Sequence, residues 1–154
     1  MEAQMRLEDF LIRYKTDCPG YGRVGILAYG ALMDNLEFNE LQVHISTETI
    51  NGKSVEMVKF AGKVTNSNSY DLNRKIYKIF ESNNYNVILD LTDLEYINST
   101  GVAILFSIFY RVKEHDGKIV IGGVHPFLQR VFGLMELPAG LETFEALDDA
   151  KAAF

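Results

Sequence analysis

Hydrophobic and polar positions repeat with two different periods along the chain, and these periods predict strands and helices. Between residues 41 and 64 apolar residues tend to occupy every second position, which predicts two strands joined at the turn signal "NGK". From residue 67 onward, stretches with helical spacing alternate with short apolar runs. The predicted helices cover residues 67–83, 99–117, 126–137 and 148–154, and the strands between them cover 85–97, 118–124 and 141–147.

This order of elements, ββαβαβαβα, predicts an α/β fold. Strands that are separated by a helix run parallel, with right-handed crossovers between them. We therefore expect a mostly parallel or mixed sheet of about five strands, with helices packed on it. The predicted domain covers residues 41–154.

The first 40 residues follow a different pattern. Apolar residues at helical spacing in "AQMRLEDFLIRYK" predict an amphipathic helix, and a break rich in glycine follows it. Residues 26–38 predict a second helix. We therefore interpret residues 1–40 as a helical N-terminal appendage that covers the sheet edge, forms a homodimer or tethers the chain to a partner.

Composition and charge narrow the classes of function. The 154 residues, 47% of them hydrophobic, suffice for one domain with a core. A net charge of −6 argues against nucleic-acid binding. No run approaches the roughly 18 apolar residues that membrane insertion requires, and the first residues lack the features of a secretory signal. With Cys18 as the single cysteine, these features predict a cytoplasmic protein.

Residues that perform metal or catalytic chemistry do not occur at a suitable spacing. The three histidines have no neighbouring ligands, and neither a glycine-rich phosphate loop nor a nucleophile–histidine–acid triad can be assembled. We expect no metal, no cofactor and no enzymatic activity. Asp90 and Asp93 are predicted to order the exit of their strand through hydrogen bonds, because the acid pair and the lysine of a phosphate-receiving domain are missing.

Three small polar residues, Asn98, Ser99 and Thr100, lie between the strand 85–97 and the apolar helix 99–117. Asn98 or Ser99 is expected to cap this helix, which contributes about 1 kcal/mol. The helix dipole would also accommodate a phosphate, which adds roughly −1.5 to −2 charges. The segment therefore predicts either a cap alone or a cap that is also a phosphorylation switch.

The helix after this segment is apolar on nearly all sides. The stripe expected to face the sheet consists of Val102, Leu105, Phe106, Phe109 and Val112. Ala103, Ile104 and Ile108 lie off this stripe and predict additional exposed apolar surface. Either the appendage covers this surface or a partner docks there, next to the hydroxyl groups.

Several of these segments together match the pattern of a known family. The strand end "VILDL", the turn "NSTG", the apolar helix, Gly117 and the segment "PFLQRVFGLMEL" resemble the STAS domains of bacterial anti-sigma factor antagonists. "FAGKV" is similar to the second strand of that family. The resemblance covers about residues 41–154 and leaves residues 1–40 outside.

The resemblance implies a binding protein. Unphosphorylated family members bind an anti-sigma factor that is also a serine kinase, the kinase phosphorylates the residue that matches Ser99, and a metal-dependent serine phosphatase restores binding. Ser99 is thus the implied acceptor, with Thr100 as a minor candidate. Together with the apolar helix surface, the predicted partner-binding residues are Asn98, Ser99, Thr100, Gly101, Ala103, Ile104, Ile108, Lys63 and Thr65.

Three positions depart from the family pattern. Asn98 stands where the family has aspartate, and Lys63 and Thr65 stand where acidic residues are common. Two alternatives to a phosphorylation switch are therefore kept. The chain is a constitutive STAS scaffold, in which residues 98–100 only cap the helix, or a module that senses a small ligand or nucleotide at the helix N-terminus.

Overall fold

A computed structural model describes residues 25–26 and 32–154 of the chain, and from residue 41 onward its elements follow the predicted order. The strands are β1 (Gly25–Ile26), β2 (Leu32–Phe38), β3 (Leu41–Ile50), β4 (Lys53–Val64), β5 (Asn86–Ile97), β6 (Lys118–Gly122) and β7 (Glu142–Thr143). The helices are α1 (Ser69–Lys75), α2 (Ser99–Glu114), α3 (Pro126–Gly133) and α4 (Leu147–Ala152), and a 3₁₀ helix (Ile76–Phe80) continues α1.

The described strands form one mixed sheet in the order β1-β2-β3-β4-β5-β6-β7. Neighbours from β1 to β4 are antiparallel, and neighbours from β4 to β7 are parallel. The change occurs after β4 because every later strand is reached through a helical crossover. The predicted α/β fold is confirmed, with more antiparallel pairing than expected.

The core is divided between the two faces of the sheet. On one face α1, the 3₁₀ helix, α2 and α3 cover the larger cluster, in which Leu72, Ile108 and Leu128 pack with strand residues. On the other face α4 and the residues after it cover a smaller cluster that contains Val55, Ile88, Val120, Ala150 and Phe154. No described helix combines the length and the apolar character needed to cross a membrane.

The helix predicted over residues 26–38 is wrong where the structure describes it. Leu32–Phe38 is a strand, paired with β3 in a register that places Leu36 opposite Val43. Leu36 is buried in the core, so pairing and burial outweigh the local helical pattern. The sheet therefore begins before residue 41. The helix predicted within residues 3–15 lies outside the described residues.

Candidate functional site

Asn98 connects β5 to α2 and caps the helix. Its extended backbone lets the side-chain Oδ1 accept a hydrogen bond from the backbone N–H of Gly101 at 2.8 Å. Its carbonyl oxygen accepts the first intrahelical bond, from the N–H of Val102 at 3.1 Å. The predicted cap is confirmed, and of the two candidates Asn98 is the capping residue.

Ser99 and Thr100 form the start of α2, and both are exposed. Because Asn98 supplies the cap, the Ser99 hydroxyl is not needed for it. Backbone N–H groups in the first turn of a helix lack intrahelical acceptors, and they lie at the positive end of the helix dipole. An exposed hydroxyl there can carry a phosphate without breaking the cap.

Gly101 allows the start of α2 to lie close to the sheet. A Cβ atom at this position would lie 2.6 Å from Cγ1 of Ile97 and 2.7 Å from Cγ1 of Val64. Both contacts are shorter than carbon atoms tolerate, so a side chain here would push α2 outward. The glycine of "NSTG" is therefore a packing requirement.

The end of β4 lies beside this turn and brings two further predicted residues to it. Lys63 pairs with Tyr96 in the parallel register, and the N–H of Asn98 donates to the backbone oxygen of Val64 at 3.2 Å. Lys63 is exposed, and Thr65 follows at the start of the next turn. The predicted positions 63, 65 and 98–101 are therefore neighbours in the structure.

Asn66 and Asn68 also shape this region, although neither is among the predicted site residues. Asn98 Nδ2 donates to Asn66 Oδ1 at 3.0 Å. Asn68, 1% exposed, accepts from the N–H of Thr65 at 3.1 Å and donates to the backbone oxygens of Lys63 and Asn39 at 2.8 and 2.6 Å. The polar run "TNSNS" was the signal for these residues, because so many amide and hydroxyl side chains favour local hydrogen bonding.

Gly62 joins a third turn to the same end of the sheet. Its backbone has a φ of +110°, and a Cβ atom would lie 2.2 Å from the backbone oxygen of Glu40. This close approach lets the N–H of Lys63 donate to that oxygen at 2.8 Å. The turns at residues 39–40, 65–68 and 98–101 thus converge, and we call them the three-turn site.

The three-turn site carries little charge around Ser99. Residues 63–69 and 97–103 contain one charged residue, Lys63, and the turn at residues 39–40 adds the exposed Glu40. In the described part of the chain, no group of three or more histidine, cysteine, aspartate or glutamate residues could hold a metal ion. A phosphate on Ser99 would therefore be the largest charge in its surroundings.

The prediction that Ile104 and Ile108 are exposed is wrong. They are 3% and 0% exposed and belong to the main core, whereas Ala103 is exposed as expected. The cause is that α1 and the 3₁₀ helix pack beside α2, so that α2 is buried on two sides. The apolar side of α2 away from the sheet is thus covered by the domain itself.

The two aspartates of β5 have different partners. Asp90 is buried, and its Oδ1 accepts from the N–H of Thr92 at 3.0 Å and from its hydroxyl at 2.6 Å. The predicted side-chain-to-backbone bond is therefore present, but it lies inside β5, where the pairing with β6 ends, and not at the exit of the strand. Asp93 instead forms an ion pair with Lys59, with Nζ and Oδ2 2.7 Å apart. This hydrogen-bonded carboxylate raises the pKa of Lys59.

Comparison with known proteins adds a family and a set of folds. The family model of the STAS domain matches residues 44–150, which is more than half of the chain. An anti-sigma factor antagonist from Mycobacterium paratuberculosis is 23% identical with a TM-score of 0.56, and the match covers 72% of this chain and 92% of that one.

Two further structures are similar in fold. The Bacillus cell fate determinant SpoIIAA in its phosphorylated form is 16% identical with a TM-score of 0.50, over 71% of this chain and 97% of that one. A sulfate transporter family protein from Wolinella succinogenes is 20% identical with a TM-score of 0.53, over 64% and 83%. At sequence identities this low, the similarity shows a shared fold only, and proteins of different function can share one fold.

Proposed function

The chain belongs to the STAS domain family, and from this premise we propose that it is a regulatory binding protein of the anti-sigma factor antagonist type. In its unphosphorylated form it binds a serine kinase that is also an anti-sigma factor. Phosphorylation of Ser99 releases it, and a metal-dependent serine phosphatase reverses the modification. In this proposal the chain is a substrate of these enzymes and performs no reaction of its own.

The observation that carries this proposal is the division of roles between Asn98 and Ser99. Asn98 caps α2 through its side chain, and Ser99 is exposed one residue later. A kinase can therefore reach the hydroxyl, and the fold can accept the product at a helix N-terminus. Thr100, also exposed in the same turn, is the secondary acceptor.

Release would follow from the change in charge. The segment 97–103, which carries Ser99, has no charged residue, and the neighbouring end of β4 and turn at residues 39–40 contribute Lys63 and Glu40. A partner surface that fits this turn would meet a group of roughly −1.5 to −2 charges after phosphorylation, and the phosphate would lose its hydration on contact. Repulsion and desolvation both weaken the complex, while the core below the turn is unchanged.

The proposed contact surface consists of the exposed residues of the three-turn site together with Ala103. The fold likeness to an antagonist from Mycobacterium paratuberculosis and to phosphorylated Bacillus SpoIIAA supports the proposal. Ile104 and Ile108 are left out of this surface because they are buried. They support it from below by fixing α2 against α1.

The experiment that tests the proposal compares three variants for binding to the cognate serine kinase. Ser99→Ala should bind like the wild type and stay bound when ATP is added, whereas Ser99→Asp should bind at least about tenfold more weakly, as expected for a charge placed in an interface. Thr49→Asp adds the same charge at an exposed position at the other end of β3 and should bind normally. Equal binding by the Ser99→Asp and Ser99→Ala variants would refute the switch.

A constitutive scaffold is the second candidate, and the neutral Asn98 favours it. Both polar atoms of the Asn98 side chain have partners within the three-turn site, namely Gly101 and Asn66. Because residue 98 is an amide, it offers a kinase no carboxylate beside Ser99. Intact mass of the chain isolated from its native cells separates the two candidates, because a scaffold should never carry a phosphate.

A further inference from the structure

A groove runs along α2, between this helix and the segment formed by α1 and the 3₁₀ helix. It consists of two cavities of about 350 and 460 Å³, and Ser107 lines both of them. The first cavity reaches Thr100 near the start of α2, and the second reaches Glu114 at its end. The groove therefore follows α2 from Thr100 to Glu114, a length of about 21 Å at 1.5 Å per residue.

Three exposed tyrosines line this groove, and we call it the tyrosine groove. Tyr70, Tyr77 and Tyr110 are 72%, 44% and 56% exposed. Large aromatic side chains and arginine are the residues most enriched at protein interfaces, where they contribute much of the binding energy. Such a row is typical of a surface that binds another protein.

Two arginines and one glutamate lie at the tyrosine groove, although the chain as a whole is acidic. Arg111 and Glu114 line the second cavity, and Arg74 lies over Tyr70 at the first. Lys75 and Lys78 of the same segment instead contact Phe38 and Asp34 of β2. The groove thus carries a net positive charge in a chain whose net charge is −6, which favours an acidic ligand.

Two arginines are placed to meet such a ligand. The guanidinium of Arg74 lies over the ring of Tyr70, 5.8 Å from its centroid, at the first cavity. Arg111 lines the second cavity and is 3.8 Å from the carboxylate of Glu114, in an exposed pair of low strength. A stronger bidentate carboxylate partner can replace Glu114 in this pair.

We propose that the tyrosine groove binds an amphipathic helix of a partner protein whose polar edges carry aspartate and glutamate. The apolar face of that helix packs between the tyrosines and over Ala103, and its carboxylates pair with Arg74 and Arg111. This surface adjoins the Ser99 switch and shares Thr100 and Ala103 with it. It is available in the unphosphorylated chain, so its test does not depend on a kinase.

The test uses two labelled peptides of about 18 residues, long enough to follow the groove as helices. Both carry leucine and phenylalanine at positions i, i+3, i+4 and i+7, and their polar positions are glutamate in one peptide and lysine in the other. Fluorescence anisotropy with the full chain should show the glutamate peptide binding at least about tenfold more tightly, as charge complementarity requires.

Variants of the full chain locate the binding. Tyr110→Ser and Arg111→Gln should each weaken binding of the glutamate peptide about fivefold or more, because aromatic and arginine side chains contribute most of the binding energy at such surfaces. Both residues are exposed, and circular dichroism confirms that the variants are folded. Leu134→Ser alters a residue that is 89% exposed after α3, and it should leave binding unchanged.

Several results would overturn the proposal. These are absence of binding by both peptides, equal binding of the two, or a loss in the Leu134→Ser variant as large as in the Tyr110→Ser variant. A fourth is tighter binding by a Phe10→Asp variant, because it would show that the N-terminal segment of the chain itself is the occupant. None of these outcomes bears on phosphorylation of Ser99.

Discussion

His125 donates a hydrogen bond from Nε2 to the backbone oxygen of Leu94 at 2.6 Å, which ties the N-cap residue of α3 to the exit of β5. β5 pairs with β6 from Asn86 to Asp90 and with β4 as far as Ile97. Beyond Asp90, His125 therefore supports the side of β5 that β6 has left. The segment held in this way leads directly to the cap at residue 98.

Replacement of His125 by alanine should destabilise the chain by about 1–3 kcal/mol, because it leaves the oxygen of Leu94 without its donor. Urea unfolding followed by circular dichroism measures the change. Glu136→Ala is the control, since it truncates an exposed side chain in the segment after α3. Equal losses in the two variants would show that the bond to Leu94 contributes nothing specific.

Gly101→Ala should destabilise the chain even though it introduces a better helix former. The gain in helix propensity is about 1 kcal/mol, and overpacking against Ile97 and Val64 costs roughly 1–3 kcal/mol. We expect a net loss of up to about 2 kcal/mol from the difference of these terms. The loss is measured as a lower midpoint of urea unfolding, with the dependence of the unfolding free energy on urea concentration unchanged.

Gly133→Ala is the control for this prediction. Gly133 is also helical, but nothing lies within 4 Å of a Cβ atom built on it. The propensity gain should therefore act alone, and stability should rise by a few tenths up to about 1 kcal/mol. If stability rose in both variants, α2 would have moved away from Ile97 and Val64 without a cost in free energy.

The fold after residue 41 could be predicted from local patterns, whereas β2 could not. In "LMDNLEF" only Leu36 and Phe38 show the alternation of a strand, because Asp34 occupies the preceding inward position. This segment becomes a strand through its pairing with β3 across the turn at residues 39–40. Pairing of this kind depends on a neighbouring segment and is not encoded in the period of the segment itself.

The candidate site could be predicted in part, for a similar reason. Ser99 and Gly101 lie in one short motif, and their positions follow from the strand–helix junction. Asn66 contacts Asn98 across 32 residues of sequence, so its role depends on the parallel register of β4 and β5. The burial of Ile104 likewise depends on α1, because a helical pattern shows that a second side is apolar but not which neighbour covers it.

The stability of the chain should depend on Asp34 between about pH 4 and neutral pH, as linkage requires for a shifted carboxyl. The Asp34 side chain is 17% exposed, and its Oδ2 is 3.9 Å from Nζ of Lys78. Burial raises the pKa of Asp34, burial lowers the pKa of Lys78, and burial also raises the pKa of Glu81 nearby. At this distance the ion pair does not offset the cost of burial for the carboxylate.

The direction of this pH dependence follows from proton binding. A carboxyl whose folded pKa is raised above the unfolded value of about 3.9 binds its proton more tightly in the folded chain, so stability falls as pH rises through that range. Asp34→Asn removes this loss. The variant should match the wild type near pH 4 and exceed it by a few tenths up to about 1 kcal/mol at pH 7, since the site is partly exposed.

Urea unfolding at four pH values measures this difference. Glu136→Gln removes an exposed carboxylate and should give a difference that does not change with pH. If instead the Asp34→Asn variant loses stability relative to the wild type as pH rises, the ion pair with Lys78 outweighs burial.

Asn98→Asp and Asn98→Ala should change the free energy of unfolding in opposite directions, because the Oδ1 atom of Asn98 forms the cap. Aspartate keeps an acceptor for the N–H of Gly101 and adds a negative charge at the positive end of α2, worth about 0.3–1 kcal/mol. Alanine removes the acceptor and should cost about 0.5–2 kcal/mol. Asn66 can turn its amide to donate to the new carboxylate, so the contact between the two turns is kept.

The same pair of variants separates the cap from the proposed switch. If the acid beside the acceptor matters to the kinase, the Asn98→Asp variant should be phosphorylated at Ser99 faster than the wild type, with no loss of stability. Intact mass against time of incubation with the kinase measures the rate, and Ser99→Ala in the same background shows that the phosphate is on Ser99. An unchanged rate would mean that the kinase reads the backbone turn at the start of α2, which asparagine and aspartate form equally well.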